Sequence, residues 1–514
     1  MTVKVPEDPR SLKLPHIKWR THQAETIQKA LDSPKHVVFI SAPTGSGKST
    51  IAVTAAKLYG RKSGIITHSK QLQKQYLREF RALDLQYLIG RENYKCIIDE
   101  KYTVNNAPCT AGFKCPRRMQ CTYYATKMRA AQFFSPIVSN YSYFLNENTH
   151  GAGVLANLDI LILDEGHLAE NSLMSHVNVT LDDLDLRKVG AQLPKLSTIK
   201  QYRDWALNTA ANLSTDLVSI TAYLEQSDDP FAEEMLVERH RKLSKICSCL
   251  ISMNKVKEDW IMEKHNRKVM FRPLWVKDYG SLYTRVAKKV IIQSATIVNP
   301  KKTAELLGIE DFDYIESPSL FPKERRPFNY YPVVKVDSKN TEQDLQKLVE
   351  AVDEIIEHHN GERGIVHTSN YRLRDILVMR SKFKDILLTH TPDRRETVIE
   401  EFLTGEGKKR ILVSPSVTSG IDGSYHRCSF QIIMKIPFRD RKEEQVKRRM
   451  AEDQEWYSYS AACDIVQAYG RAMRHEDDYG VTYMLDEHFG WFYKYNKEMF
   501  PKFFQEAVRK IEWL

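Results

Sequence analysis

Short apolar runs recur along this chain, separated by longer stretches whose apolar residues fall at three- and four-residue spacing. Val37-Val38-Phe39-Ile40 and Leu158-Asp159-Ile160-Leu161-Ile162-Leu163 are representative: nearly every position is apolar, so both faces of the strand must be covered. That is the pattern of strands buried in a parallel sheet, with the intervening helical stretches as crossovers. Strands are predicted at 37–40, 64–67, 136–139, 159–163 and 290–293, and again at 364–367, 385–389, 410–414, 431–435 and 481–485. Two such sets predict an α/β protein with two doubly wound parallel-sheet domains in tandem, 1–320 and 321–514. The boundary is expected near 317–332, where Pro318, Pro322, Pro327 and Pro332 cluster. Two segments interrupt the first set. Residues 91–145 carry four cysteines, and residues 176–270 are polar and helical in pattern, without strand signals. The second is expected to be a helical insertion. There is no internal repeat or low-complexity tract.

Composition sharpens this picture only in part. At 514 residues the chain can bury two or three cores. A net charge of +10 permits an anionic partner without demanding one. No apolar run approaches the ~20 residues that span a bilayer, and residues 1–19 lack a signal-peptide core. The expectation is an intracellular protein with no membrane partner, in the cytoplasm of a bacterium or phage-infected host or in a nucleus.

The cysteines add a candidate chemistry. Cys96, Cys109, Cys115 and Cys121 fall within 26 residues, separated by gaps of 12, 5 and 5. Four thiols gathered in one segment of an intracellular chain read as a metal site. The Cys-x-x-Cys hooks of zinc ribbons are absent. Wider, uneven gaps suit a cluster of four irons, with zinc and unliganded thiols as the alternatives. Cys247, Cys249, Cys428 and Cys463 lack ligand-type neighbours and read as ordinary buried or half-buried residues.

The first predicted strand runs into Ala42-Pro43-Thr44-Gly45-Ser46-Gly47-Lys48-Ser49, and a helical stretch starts at Thr50. Strand, glycine-rich loop and helix together are the setting in which main-chain N–H groups wrap phosphates. Thr44, Gly45, Ser46, Gly47, Lys48, Ser49 and Thr50 are the expected cradle, with Lys48 on the β- and γ-phosphates of ATP and Ser49 on Mg2+. Ala42 stands where the loop pattern usually begins with glycine. Far downstream, the strand at 159–163 ends in Asp164-Glu165-Gly166-His167. A carboxylate at the carboxyl end of such a strand lies where the loop's cation would be. Asp164 is expected to hold that Mg2+ through water, and Glu165 to orient the attacking water.

The order and wording of these motifs resemble superfamily 2 DNA helicases of the XPD/DinG type (Rad3-like), the iron–sulfur branch, from about residue 19 to residue 489. Gln23 falls where that family places an adenine-sensing glutamine. Thr67-His68-Ser69-Lys70-Gln71-Leu72 resembles the motif that touches the nucleic-acid backbone. Cys121-Thr122-Tyr123-Tyr124 and Val138-Ser139-Asn140-Tyr141 resemble the end of the cluster segment and the strand after it. Gln293-Ser294-Ala295-Thr296 matches the motif that couples the ATP and DNA sites. Val413-Ser414 through Gly420-Ile421-Asp422-Gly423, and then Ile436-Pro437-Phe438, resemble the second domain's motifs, although Thr418 and Ser419 replace an aromatic–glutamate pair. Gln467-Ala468-Tyr469-Gly470-Arg471-Ala472-Met473-Arg474 is the closest match. By this resemblance the domains are RecA-like motors, the insertions are an Fe–S segment and a small arch, and Lys48, Asp164, Glu165, His167, Gln467, Arg471 and Arg474 are catalytic. Arg471 and Arg474 would act as fingers on the γ-phosphate. The resemblance also implies a [4Fe–4S] cluster on Cys96, Cys109, Cys115 and Cys121.

The expected function is an ATP-dependent DNA helicase that translocates on single-stranded DNA, 5′→3′ by the resemblance, and unwinds duplexes. Its expected partners are single-stranded and forked DNA and replication or repair proteins, with the chain acting as a monomer. The alternatives are a DNA-stimulated translocase that remodels protein–DNA complexes without unwinding, and an ATP-switched scaffold. No N-terminal nuclease domain is expected ahead of the phosphate loop. Residues 91–135 carry eight Lys/Arg against three Asp/Glu, with Tyr94, Phe113, Tyr123, Tyr124, Phe133 and Phe134 interleaved. Basic and aromatic together, the segment suits a strand-separating wedge.

Overall fold

The structure, a computed structural model, describes residues 3–132, 134–149, 153–227, 233–404, 410–415, 428–471 and 479–512. In the first domain the apolar runs form β1 (Val37–Ser41), β2 (Ser63–Thr67), β3 (Gln86–Tyr87), β4 (Ile137–Asn140) and β5 (Leu158–Asp164). An insertion contributes β6 (Val179–Asp182), β7 (Ile261–His265) and β8 (Lys268–Arg272). β9 (Ala287–Ser294) and β10 (Phe312–Glu316) then return to the first sheet. The second domain holds β11 (Phe328–Val334), β12 (Gly364–His367), β13 (Leu387–Thr389), β14 (Ile411–Ser414), β15 (Phe430–Ile433), β16 (Val481–Asp486) and β17 (Val508–Lys510).

Among the described residues the first sheet runs β10-β1-β9-β5-β2-β4-β3 and the second β13-β14-β12-β15-β16-β11-β17, with parallel pairing throughout. Successive side chains leave opposite faces, and both faces are apolar. Val38, Ile40, Ile160 and Ile162 pack with Ala52 and Ala56 of the helix Lys48–Tyr59 on one side. Phe39, Ile66, Leu161, Leu163 and Ile292 pack on the other. Two doubly wound parallel-sheet domains in tandem result, as the apolar pattern predicts, and they are RecA-like, as the resemblance implies.

β11 begins inside the proline-rich stretch 317–332. Its Pro332 lies at a register irregularity between Tyr330 and Val334, where the missing N–H interrupts no ladder bond.

The expectation that 176–270 lacks strands is corrected. The chain enters and leaves this insertion through β6 and β8, which with β7 form an antiparallel sheet. These strands escape notice because they are short and outwardly charged, with only Ile261, Val269 and Phe271 of β7 and β8 buried. Their turn, Asn266-Arg267, also lacks the glycine that marks most tight hairpins. Beyond them the helices Ile199–Gln226 and Glu234–Ile251 share a core of Tyr202, Ala206, Ile246 and Leu250. The cysteine-bearing segment is irregular up to the helix Thr122–Gln132 and docks on this pair, Ala111 meeting Leu224 and Val237.

The two domains touch through the second domain's helices Glu444–Glu452 and Gln454–Tyr469. Arg449 lies between Trp275 and Trp456, 4.5 and 4.9 Å from their ring centres, and pairs with Glu170 at 2.8 Å. Lys302 meets Asp453 at 2.9 Å and Glu455 at 3.5 Å.

Candidate functional site

The phosphate loop joins β1 to the helix Lys48–Tyr59. Gly47 holds a left-handed φ of 76°, which a side chain would strain, and it provides no side-chain cap. The first-turn N–H groups are therefore free of a capping side chain and available to an anion. Two upstream residues hold the loop in shape. Gln23 donates through Nε2 to the main-chain oxygens of Ser46 and Gly47, both at 3.2 Å, and accepts from Arg20 N at 3.1 Å. The Arg20 guanidinium bonds the Gly45 carbonyl. The Gln23 amide is thus engaged by the loop's own backbone.

Asp164, buried at the carboxyl end of β5, is held on every side. Its Oδ2 accepts from the Tyr76 phenol at 2.7 Å, and its Oδ1 accepts from Gln293 Nε2 at 2.9 Å and Glu165 N at 3.1 Å. Gln293 Nε2 also bonds the Lys48 carbonyl at 3.0 Å, and the Tyr141 phenol bonds the Asp164 carbonyl at 3.1 Å. Burial and the Glu165 charge push the Asp164 carboxyl up, against Gln293, Tyr76 and Lys48, which lower it. Glu165 itself has left-handed backbone, φ 52°, a strain of about 1–2 kcal/mol for a residue with a Cβ. His167 Nδ1 sits 2.8 Å from Ser294 Oγ and 3.4 Å from Glu165 Oε2. Burial first, then the charges of His68, Lys48 and Arg471, push His167 down to about 3, so its ring is neutral at neutral pH.

The second domain closes on this site. A Cβ on Gly470 would lie 2.7 Å from Thr44 Oγ1, so the helix end meets the phosphate loop closely at this glycine. Arg471 follows, close enough to lower both His167 and His367, and Gln467 is half-buried one turn earlier. Arg474, Thr418, Ser419 and Gly420-Ile421-Asp422-Gly423 lie outside the described residues.

Ser46 Oγ, Gln293 Oε1 and His167 Nε2 are buried with no hydrogen-bond partner among the described residues. Such atoms are costly unless something bound to the site completes them. With an uncapped helix start, Lys48 near Asp164, and Ser49 beside the Tyr76 phenol, the donors and acceptors fit a nucleoside triphosphate and Mg2+.

In the cysteine segment, Cys96 and Cys109 share a small apolar cluster with Tyr102 and Ala107, while Cys121 packs with Val104 and Tyr123. Burial, and then the other three cysteines, push the Cys109 thiol up to about 11, so the four sulfurs act on one another. Among the described residues, no group of three or more His, Cys, Asp or Glu side chains is placed to hold one metal ion. The rings expected to face a strand largely pack inward. Tyr94 meets Tyr123 at 5.5 Å, Tyr123 meets Tyr124 at 5.2 Å, and Arg118 covers Tyr124 at 4.3 Å. Phe134 is 70% exposed, and Phe133 lies outside the described residues.

Residues 354–507 match the family described as the helicase C-terminal domain, and residues 16–185 match that of the type III restriction enzyme, res subunit. Among solved structures, one titled XPD helicase aligns with 96% of this chain and 100% of its own at a TM-score of 0.66 and 14% identity. The Xpd4 structure from S. tokodaii aligns over the same shares at 0.58 and 13%. The chain has the fold of the XPD helicase structures. Among curated relatives, this XPD-like chain is 25% identical over 264 residues to a "Probable ATP-dependent helicase" of Methanocaldococcus jannaschii, 46% of this chain and 40% of that protein. It is 28% identical over 86 residues to the regulator of telomere elongation helicase 1 homolog of Caenorhabditis elegans, 16% of this chain and 8% of that protein. The match therefore spans less than half the length of either relative.

Tyr76, Arg20 and the amide of Gln293 went unassigned in the sequence. Tyr76 and Phe80, four apart on a helical stretch, look like ordinary core residues. Only the position of Gln293, at the end of a buried strand, carried a signal.

Proposed function

We propose that this chain is an ATP-dependent DNA helicase that moves 5′→3′ on single-stranded DNA and separates duplex strands. The observation that carries the reading is the contact of Gly470 with Thr44, which sets Arg471 of one domain across the phosphate loop and Asp164 of the other. Lys48 binds the β- and γ-phosphates, and Glu165 orients the attacking water. Arg471 stabilises the charge that grows on the transferred phosphoryl group. Ser49 and Asp164 are the residues that would hold Mg2+, which supplies charge neutralisation between phosphate oxygens. A nucleotide shared by two domains couples hydrolysis to their opening and closing, and so to stepping along a strand.

Cys96, Cys109, Cys115 and Cys121 are proposed as ligands of a [4Fe–4S] cluster. The mutual influence of the four sulfurs supports a shared site, and their wide, uneven gaps suit a cluster. Bound as thiolates they would release protons. The inward packing of Tyr94, Tyr123 and Tyr124 favours a second reading, a translocase that moves along DNA without a strand-separating wedge.

The test is ATP hydrolysis on DNA and RNA strands beside displacement from 5′-tailed forks, with Lys48→Ala as control and iron and sulfide analysis of the protein. DNA-stimulated turnover with displacement supports the helicase. Turnover without displacement leaves the translocase, and turnover in Lys48→Ala removes the site assignment.

A further inference from the structure

The Tyr76 phenol is fully buried and sits between the two residues that would hold Mg2+. It donates to Asp164 Oδ2 at 2.7 Å, and Ser49 is near enough to act on the same phenol. The loop helix supplies Ser49, β5 supplies Asp164, and Tyr76 comes from the helix Lys70–Glu79. That third helix starts inside Thr67-His68-Ser69-Lys70-Gln71-Leu72, with Ser69 capping it by accepting from Leu72 N at 3.1 Å. Tyr76 therefore stands less than two turns from the segment whose resemblance is to a strand-contacting motif.

A second link joins the same helix to the nucleotide side. His16 Nε2 lies 3.0 Å from Thr50 Oγ1, on the phosphate-loop helix, and 3.7 Å from Glu79 Oε1. The helix is thus tied to the site twice in its carboxyl-terminal half, at Tyr76 and at Glu79. At the amino end, Lys70 Nζ bonds Asn93 Oδ1 at 2.7 Å, reaching the cysteine-bearing segment.

We propose that Tyr76 is a positioning residue that sets the Asp164 carboxylate toward a divalent cation, and that it links that carboxylate to the segment Thr67-His68-Ser69-Lys70-Gln71-Leu72. The proposal rests on the nucleotide-site reading above. A shift of the helix when a strand binds moves the phenol, and the phenol moves the carboxylate. By reciprocity, cation and nucleotide binding change the affinity for the strand by the same factor.

The experiment compares wild type with Tyr76→Phe, which keeps the ring and removes the hydroxyl. Binding of a fluorescent ADP is titrated with MgCl2, and oligothymidine binding is measured with and without Mg2+ and a non-hydrolysable ATP analogue. The expected result is unchanged ADP binding in EDTA, an Mg2+ requirement raised about tenfold, and loss of most of the nucleotide effect on strand affinity. A double-mutant cycle with Asp164→Asn should show strong non-additivity in the Mg2+ titration. Unchanged Mg2+ dependence, or additive effects, overturns the proposal while leaving the nucleotide site standing. Wild-type protein that fails to bind the nucleotide with Mg2+ overturns the functional reading and this one with it. If Tyr76→Phe does not fold, hydrogen exchange on the wild type decides: the amides of 70–79 should slow with Mg2+ and nucleotide but not with nucleotide in EDTA. Equal protection in both conditions overturns the link.

Discussion

Single atoms decide the nucleotide cleft. A methyl group at Gly470 has Thr44 Oγ1 at 2.7 Å, so the Thr44 side chain must give way at the phosphate loop. Gly470→Ala should therefore cut ATP turnover by at least about tenfold, with each domain still folded, as steady-state kinetics beside circular dichroism would show. On the proposed mechanism, Arg471→Ala should lower kcat by about 10³ while leaving KM for ATP nearly unchanged. His367 is a separate lever. Burial, with the Arg471 charge nearby, pushes it down to about 4, whereas in the unfolded chain it takes up a proton near 6.5. Stability from this residue is complete above about pH 6.5 and falls as the pH drops toward 4, by about 2 kcal/mol at pH 5. Urea midpoints at pH 7 and pH 5 should show that loss in wild type and a smaller one in His367→Asn. At this scale the sequence is legible where chemistry demands an ordered motif, as from Thr44 to Ser49. It is silent where a residue type is ambiguous. Nothing in a lone tyrosine beside Phe80 says that its hydroxyl will find Asp164, which lies 88 positions along the chain.

Elements were readable in proportion to their burial. β1, β5 and β9 are apolar at nearly every position because both of their faces are covered. β10, with five half-buried residues, and β17, three residues long with two exposed, give no such signal. β11 was hidden by Pro332, which ordinarily argues against a strand inside a sheet. In the insertion, the helix Ile199–Gln226 announces itself with a capping box, Thr198 with Gln201. Its contact with the cysteine segment is a tertiary fact that no local pattern encodes. Leu224, fully buried against Ala111 and Val237, is the anchor of that contact. Leu224→Ala should cost about 2–4 kcal/mol locally. Limited proteolysis should then cut the segment between Cys96 and Cys121 faster, with the RecA-like domains resistant.

Between the domains, Arg449 is a buried charge with Glu170 and two tryptophan rings around it. Arg449→Ala leaves Glu170 unpaired in that interface and should cost about 3–5 kcal/mol. Calorimetry should then resolve two unfolding transitions in place of one, and small-angle scattering should show a larger radius of gyration. The first sheet has a further consequence, for synthesis. β1, the strand that feeds the phosphate loop, pairs only with β9 and β10, and these leave the ribosome roughly 250 residues later. At about 5–20 residues per second, Val37-Val38-Phe39-Ile40-Ser41 waits roughly 10–50 s with both edges unsatisfied. The nascent chain therefore carries an apolar, sticky strand through a long stretch of translation, and its yield in a cell should depend on chaperone supply more than on the stability of the finished protein.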